Sequence, residues 1–499
     1  MIDFEIPLFL TLLLAVPLIG AVVTLFMGGS RERYAKYSAI AFSGITMVLA
    51  TLLLLVDDLS ALDESYTWIE TAGIKVSYML HVDGLSILMV FLTGVLMFLV
   101  SIFSMSEKDR PNYFFALMLA MEVGLMGVYL AADYFLFYIM WEVTLIPMFF
   151  MISWYGGPRR HYAAIKFFIY THVASLVMLI GIFLMVFQAA NGGVADFSFA
   201  AVLSASSLFS ESFQVLVFIL LFFGFAVKMP IVPFHTWLPD AHTEAPTAGS
   251  VLLAGVMLKM GSYGIIRVCL EVLPEGAIHW QTLMIFIGLL SMIYGAYGCI
   301  AQRDLKKMVA FSSISHMGLV MVAMAVPGGI EFAVFQMFAH GLISAVLFMV
   351  CGLAGHSLGT RDIPLLGGLA AKMPLLAFFM MFGFMASLGL PGLVGFPAEF
   401  GIIFAFYDYL VANDMIWMIV FCLLSLMLTA GYYLWAMQRS LFGRLTTKVD
   451  TSHLHDVSRS EAVALGALCG LILLFGFYPL LAVDYITPYA SLITIFGGI

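Results

Sequence analysis

The sequence predicts an all-α integral membrane protein of fourteen transmembrane helices, and three observations carry that expectation. Hydrophobic residues fill 63% of the 499 positions and charged ones 10%, against about 25% charged in an ordinary soluble domain. Mean hydropathy is +1.07. Apolar windows of about 20 residues, the length that crosses a hydrocarbon core of roughly 30 Å, recur from one end to the other and leave no room for a soluble domain. Residues 1–499 thus read as a single polytopic membrane domain.

In order, the predicted spans are 5–27, 35–56, 83–105, 112–131, 133–155, 163–188, 213–237, 247–271, 279–301, 306–326, 330–356, 374–409, 414–437 and 461–485. The first begins MIDFEIPLFLTLLLAVPLIG, with acids where a secretory signal needs positive charge and an apolar run too long for a signal core, so it reads as a span. Of the 21 Lys and Arg, seventeen fall at odd-numbered connections: Arg31, Arg33 and Lys36; Lys108 and Arg110; Arg159, Arg160 and Lys166; Arg303, Lys306 and Lys307; Arg361 and Lys372; and Arg439, Arg444, Lys448 and Arg459. Lys75 and Arg267 fall at even-numbered ones, and Lys228 and Lys259 inside spans. Short loops rich in Lys and Arg stay cytoplasmic, which predicts a multi-pass protein of the cell's inner (cytoplasmic) membrane with both termini outside. A missed or spurious span would invert every later loop, so the alternation also supports the count.

The net charge of −9, which includes the acidic outer connection DDLSALDESYTWIE, is no footprint for nucleic acid. The five cysteines, Cys269, Cys299, Cys351, Cys422 and Cys469, are scattered singly, without the spacing of a zinc, iron–sulfur or disulfide framework.

What remains is a set of ionisable residues at mid-depth. A helix rises 1.5 Å per residue, so Glu142, nine residues past Asp133, lies roughly 13 Å into the fifth span. Glu122, His172, Lys228, Lys259, His316, His340 and Glu399 fall at similar depths in the fourth, sixth, seventh, eighth, tenth, eleventh and twelfth spans. A charge there costs about 2.5–3.5 kcal/mol on insertion scales and must face protein or water. His340 shares its face with Gln336 and Ser344, His316 follows Ser312 and Ser313 by one turn, and Lys259 shares a face with Gly255 and Ser262. Helix-packing hydrogen bonds account for such residues as readily as transport does in the cases of His172 and Glu122. They fit Lys228, Lys259 and Glu399 poorly, because a long charged side chain is a poor packing element.

Prolines interrupt two of these spans. Pro230 follows Lys228 by two residues, removes an amide donor and breaks or kinks the helix. In GFMASLGLPGLVGFPAEF, Pro391, Gly392, Gly395 and Pro397 precede Glu399. Broken backbone is tolerated at membrane depth only where protein or water lines it. Paired discontinuous helices in corresponding positions point to inverted repeats with an ion site at each break. The predicted repeats are spans four to eight, residues 112–271, and spans nine to thirteen, residues 279–437, with the seventh and twelfth spans discontinuous.

At these residues the chain resembles a known family. FYIMWEVTLIPMFF, GFAVKMPIVPFHTWLPDAHTEAPTAGSVLLAGVMLKMG and QRDLKKMVAFSSISHMGLV resemble the signature segments of the antiporter-like subunits of respiratory complex I and its relatives, which include Mrp-type antiporters. The glutamate in GFPAEF, Glu399, is similar to that of the M-type chains; L- and N-type chains carry lysine there. The chain stops after the fourteenth span, without the lateral helix typical of L-type chains.

The resemblance implies a proton-translocating subunit of a membrane-bound oxidoreductase that binds no cofactor or metal itself. Quinone or a related carrier, flavin and iron–sulfur clusters are then expected in partners: L- and N-type membrane subunits and a hydrophilic redox arm. It also implies roles in proton transfer. Glu142 and Lys228 match the family's ion pair, Lys259 its connecting lysine, His316 and His340 its central axis, and Glu399 the terminal residue of the second half-channel. An Mrp-like cation/proton antiporter subunit is the rival reading, which would use much the same residues. His235, Asp240 and His242 of HTWLPDAH raise the alternative of a metal site, but their spacing among prolines is unlike zinc motifs, and they read as residues of the helix break and its loop.

Overall fold

The computed structural model describes residues 8–71, 73–444, 454–493 and 495–496. Lys448 and residues 5–7 of the predicted first span lie outside them. In chain order the structure runs α1 (Phe9–Leu25), α2 (Ala35–Leu53), β1 (Glu64–Thr71), β2 (Ile74–Leu80), α3 (Ile87–Phe103), α4 (Pro111–Leu130), α5 (Tyr134–Tyr155), α6 (Arg160–Ala190), β3 (Ala195–Asp196), α7 (Phe199–Ala205), α8 (Glu211–Lys228) and α9 (Trp237–Glu244). It continues with α10 (Thr247–Leu252), α11 (Leu258–Gly264), α12 (Pro274–Ile300), α13 (Leu305–Met324), α14 (Gly329–Leu358), α15 (Pro374–Ser387), α16 (Gly395–Ala412), α17 (Ile419–Leu441), α18 (Arg459–Phe477) and α19 (Leu480–Ala490). Among the described residues, thirteen helices are long and apolar enough to cross a membrane, while α1 and α15 are apolar but shorter, at 17 and 14 residues.

Three elements depart from the expected pattern. The connection read as an acidic loop forms a β1–β2 hairpin, to which β3 adds a short parallel pairing, so the molecule is largely helical but not all-α. Aromatic and β-branched residues in ESYTWIET and IKVSYML favour pleated strands, and Gly73 supplies the turn with φ +89°. The hairpin holds the start of α1: the Glu64 carboxylate accepts the Leu10 amide at 2.7 Å and contacts Thr11, placing a negative charge at a helix N-terminus. The predicted span 461–485 ends at Phe477, with α19 starting afresh beyond Pro479, whereas the span 213–237, expected to be discontinuous, is helical to Lys228 and again from Trp237.

The third departure lies at the centre. Thr247–Leu270 is one continuous rod, but π-helical turns at Leu253–Met257 and Ile265–Leu270 bracket Lys259. Such turns are rare and cluster at functional sites. This rod is wholly buried and α14 nearly so, whereas α1, α2, α6, α16 and α17 show lipid-sized side chains outward, among them Leu18, Ile45, Ile169, Phe404 and Met427. The interior is itself mostly apolar, and the buried polar groups are set into it as a minority.

Ion pairs sort the connections onto two faces. On the face that carries most of the basic residues, Arg159 reaches Asp240 and Glu244, Lys166 meets Asp240 at 2.7 Å, Arg303 pairs with Asp362 and Arg361 with Asp304. All of these join odd-numbered connections of the sequence pattern. On the opposite face Lys75 meets Asp196 at 2.8 Å and Arg267 meets Asp83 at 2.6 Å, joining even-numbered ones.

Candidate functional site

The breaks in α8–α9 and α15–α16 decide where the buried charges sit. Pro230 and Pro233 stop α8 at Lys228, which places an ammonium at the negative end of a helix dipole. The freed backbone groups are not left bare: the Trp237 indole donates to the Val227 carbonyl at 2.9 Å, and Ser291 accepts the Val232 amide at 2.9 Å. In the second break Gly389 and Gly392 take positive φ, and Glu399 follows one turn into α16.

Four of the sequence-predicted residues form one continuous buried row. The Lys259 ammonium donates to Nδ1 of His340 at 2.8 Å and to the Ala254 carbonyl, five residues back, which the π-helical turn turns toward it. The His340 and His316 rings lie 5.4 Å apart between centroids. Nε2 of His316 is 3.4 Å from Oε1 of Glu399 and 3.1 Å from the Ser387 carbonyl, the open end of α15, while Nδ1 faces the Ser312 carbonyl at 2.7 Å. Each nitrogen of His316 therefore meets an acceptor, and the ring can donate on both sides with Glu399 as counter-ion.

Two glycines make the row continuous. A Cβ on Gly341 would sit 2.8 Å from the Gly255 carbonyl oxygen, so the backbones of α14 and the central rod touch where no side chain intervenes. His340, next in sequence to Gly341, is thereby brought against Lys259.

The first half is built differently. Glu142 and Lys228, expected as an ion pair, are not one. Oε2 of Glu142 meets Nδ1 of His172 at 2.9 Å, whereas Nζ of Lys228 has no hydrogen-bond partner among the described residues. It lies 5.6 Å from the ring centroid of Trp141 and 5.7 Å from that of Phe167, where cation–π attraction holds it beside α5. Glu142 acts on it electrostatically without touching it. The Glu142 and His172 side chains are 23% and 37% exposed, so the pair opens on the flank of the bundle while the axis residues are buried. Glu122 is fully buried in α4, and its carboxyl oxygens have no hydrogen-bond partner among the described residues.

Sequence reasoning did not single out His172 as the partner of Glu142, nor the Ser387 carbonyl, nor Ser387 Oγ with the Tyr433 hydroxyl at 2.7 Å beneath it. Lys306, expected in a basic loop, is instead buried, donating to the Ala245 carbonyl at 2.6 Å. His235, Asp240 and His242 do not converge, and no group of three His, Cys, Asp or Glu able to hold a metal occurs among the described residues.

On the opposite face Arg267 is clamped by Asp83 at 2.6 and 2.7 Å and by Glu271 at 3.4 Å, with the Tyr489 ring 4.9 Å from its guanidinium. Burial alone would raise the Asp83 carboxyl, but the guanidinium and His81 hold it below its ordinary value.

Residues 131–429 match the family model described as NADH:quinone oxidoreductase/Mrp antiporter, transmembrane. The chain is 41% identical over 481 residues to F(420)H(2) dehydrogenase subunit M of Methanosarcina mazei, covering 94% of each, and 38% identical over 488 residues to NADH-quinone oxidoreductase subunit M of Rhodobacter capsulatus, covering 95% of this chain and 93% of that one. A chain of respiratory complex I from Thermus thermophilus superimposes with a TM-score of 0.88 at 27% identity, over 98% of this chain and 100% of that one. Together with the buried row of Lys, His and Glu, these matches establish that the chain belongs to the NADH:quinone oxidoreductase/Mrp antiporter family, as a proton-translocating membrane-arm subunit of the M type.

Proposed function

We propose that protons cross the membrane through the row Lys259, His340, His316 and Glu399, loaded from Glu142 and Lys228, with electron transfer in partner subunits as the driving force. The contact carrying this reading is the one between Lys259 and His340, at 2.8 Å. Proton transfer needs groups within hydrogen-bond reach or joined by one water. A proton moved across that contact leaves a neutral amine and an imidazolium, whose ring centroid lies 5.4 Å from that of His316. Glu399 then receives the proton from His316 and releases it outward.

In this reading the basic face is cytoplasmic, both termini are outside the inner membrane, and fourteen spans include the inverted repeats 112–271 and 279–437. The mirrored breaks support the repeats: one leaves a lysine at the end of a helix, the other a glutamate near the start of one. The partners are L- and N-type membrane subunits and a hydrophilic arm holding flavin, iron–sulfur clusters and the site for quinone or a related carrier. The half-open Glu142–His172 pair supports a lateral partner, because ionisable groups at mid-membrane face protein or water and not lipid.

The test is proton uptake by inverted membrane vesicles, measured with electron transfer in the same preparation. Glu399→Gln keeps shape but cannot ionise, and should depress protons moved per electron; Glu399→Asp should retain part of the ratio. Glu399→Lys, the residue expected in L- and N-type chains, should also retain some. A wild-type ratio in the assembled glutamine variant would make the carboxylate a packing group and sink the exit assignment.

A further inference from the structure

The row described above leaves several buried, protonatable side chains unused, His242 among them. His242 is wholly buried in α9, neither ring nitrogen has a hydrogen-bond partner among the described residues, and the ring stacks on Phe348 of α14 at 4.3 Å and 9°. A neutral imidazole carries one donor and one acceptor, and burying both unpaired costs free energy unless water or a moving proton meets them. The backbone around it is fixed. Ser250 donates to the His242 carbonyl at 3.1 Å, and Arg361 to the Thr243 carbonyl at 3.0 Å.

Its surroundings run from one end of the membrane toward the centre. Toward the basic face lie Lys306, buried and tied to the Ala245 carbonyl, and Glu244, which accepts the Arg159 amide at 2.9 Å. His242 is within electrostatic reach of Lys306 and also of Lys259, and His340 is within reach of His242. Phe348 and His340 belong to one helix, eight residues and therefore about 12 Å apart. Ser344, buried, stands midway on the same stripe one turn from each, its hydroxyl donating to the Gly341 carbonyl at 3.2 Å.

We propose that His242 is a proton-carrying residue of an inner-face entrance that passes between α9, α13 and α14 and reaches the Lys259–His340 pair directly, without Glu142 or Lys228. One ring nitrogen accepts a proton from water at the Lys306 end, and the other releases one toward Ser344 and His340, so the ring returns to neutral by rotating or exchanging tautomers. The inference rests on the proton row of the proposed function and adds a second way into it.

The experiment uses inverted vesicles containing the intact assembly, with an acridine dye reporting proton uptake, electron transfer measured alongside, and assembled subunit quantified by mass spectrometry. His242→Phe preserves the stack on Phe348 but carries no proton, and His242→Ala leaves a space the size of imidazole. Both should lower proton uptake per electron to a level between wild type and Glu399→Gln, since delivery through Lys228 remains, and added imidazole should restore it in His242→Ala while leaving Glu399→Gln unchanged. Assembled His242→Phe or His242→Ala pumping at the wild-type ratio overturns the proposal. So does a loss in His242→Ala that imidazole fails to restore, because the residue is then structural. Should His242→Phe fail to assemble, the alanine variant with imidazole decides alone, and should that also fail, His242→Gln pumping normally overturns the proposal and a loss sustains it. Glu399→Gln separates the two levels: if it is impaired while the His242 variants pump normally, only the entrance is withdrawn, and if it too pumps normally, the row itself is.

Discussion

Gly341→Ala tests whether the close approach of α14 to the central rod is what lets His340 take a proton from Lys259. The added Cβ would lie 2.8 Å from the Gly255 carbonyl oxygen and 2.5 Å from Cδ2 of Leu92. The leucine end can swing aside, but a backbone carbonyl cannot. Restoring ordinary contact of about 3.4 Å requires the two backbones to part by roughly 0.6 Å. Borne along the Lys259–His340 direction, that lengthens the 2.8 Å contact to about the same 3.4 Å, past the working range of about 2.6–3.2 Å for direct transfer. Over-packing of this kind costs about 1–3 kcal/mol, so the subunit should still assemble. Misplacement by about 1 Å slows a positioned step by as much as about a hundredfold, so coupled proton uptake should fall roughly tenfold or more. Gly431→Ala is the control, because a Cβ there meets nothing within 4 Å. The assay is uptake per electron in vesicles, with assembly checked on the same membranes. An assembled Gly341→Ala protein that pumps like Gly431→Ala would refute the claim that this backbone contact sets the transfer distance.

Two further outcomes follow from other contacts. Glu142→Gln and His172→Gln each break the 2.9 Å pair, so each should lower coupled uptake and the double variant should be no worse than the worse single one, as for residues acting as a unit; additive losses would show that they act separately. Asp83→Asn leaves the buried Arg267 without its main counter-charge, a loss of about 3–5 kcal/mol for a broken buried pair, read as a lower thermal midpoint of the solubilised assembly at pH 7. Because Asp83 is held below its ordinary carboxyl value in the fold, its contribution is present above the unfolded value of about 3.9 and lost as pH falls through the folded one. The gap between variant and wild type should therefore narrow on acidification below about pH 3.9, and a gap constant with pH would contradict the clamp.

Much of the site was legible because membrane burial is so costly for charge that each mid-depth ionisable residue announces itself. Lys259, His316, His340 and Glu399 are among the eight ionisable residues that depth picks out, and these four lie in one row. Depth does not give azimuth, however. Lys228 and Glu142 lie at matching depths, yet Lys228 faces Trp141 and Phe167 while Glu142 turns to His172 on the flank. The π-helical turns were also unreadable, since LAGVM and IIRVCL carry no residue that forbids an ordinary helix. His242, which the sequence assigns to a helix break, lies inside α9 just past that break, and its isolation depends on the cover that Phe348 of α14 provides, a contact no local pattern carries. Strand pairing in the hairpin lay hidden for a different reason: against so apolar a chain, the polar segment ESYTWIET looked like a loop first and an alternating strand second.

The two helix breaks show why the two halves of the molecule behave differently under the proposed function. In the second break the exposed carbonyl of Ser387 is met by His316 itself, so backbone satisfaction and the proton row are the same contact, and disturbing one disturbs the other. In the first break Trp237 and Ser291 satisfy the backbone, and Lys228 has no share in it. Its ammonium rests on aromatic faces without a hydrogen-bond partner among the described residues. Transfer along Lys259, His340, His316 and Glu399 thus proceeds through groups already near contact distance, whereas delivery from Lys228 requires the side chain to swing or water to enter. In that reading, control of uptake by this route belongs at the Lys228 end, where a small change at the half-open Glu142–His172 flank alters the field on an otherwise unpaired charge.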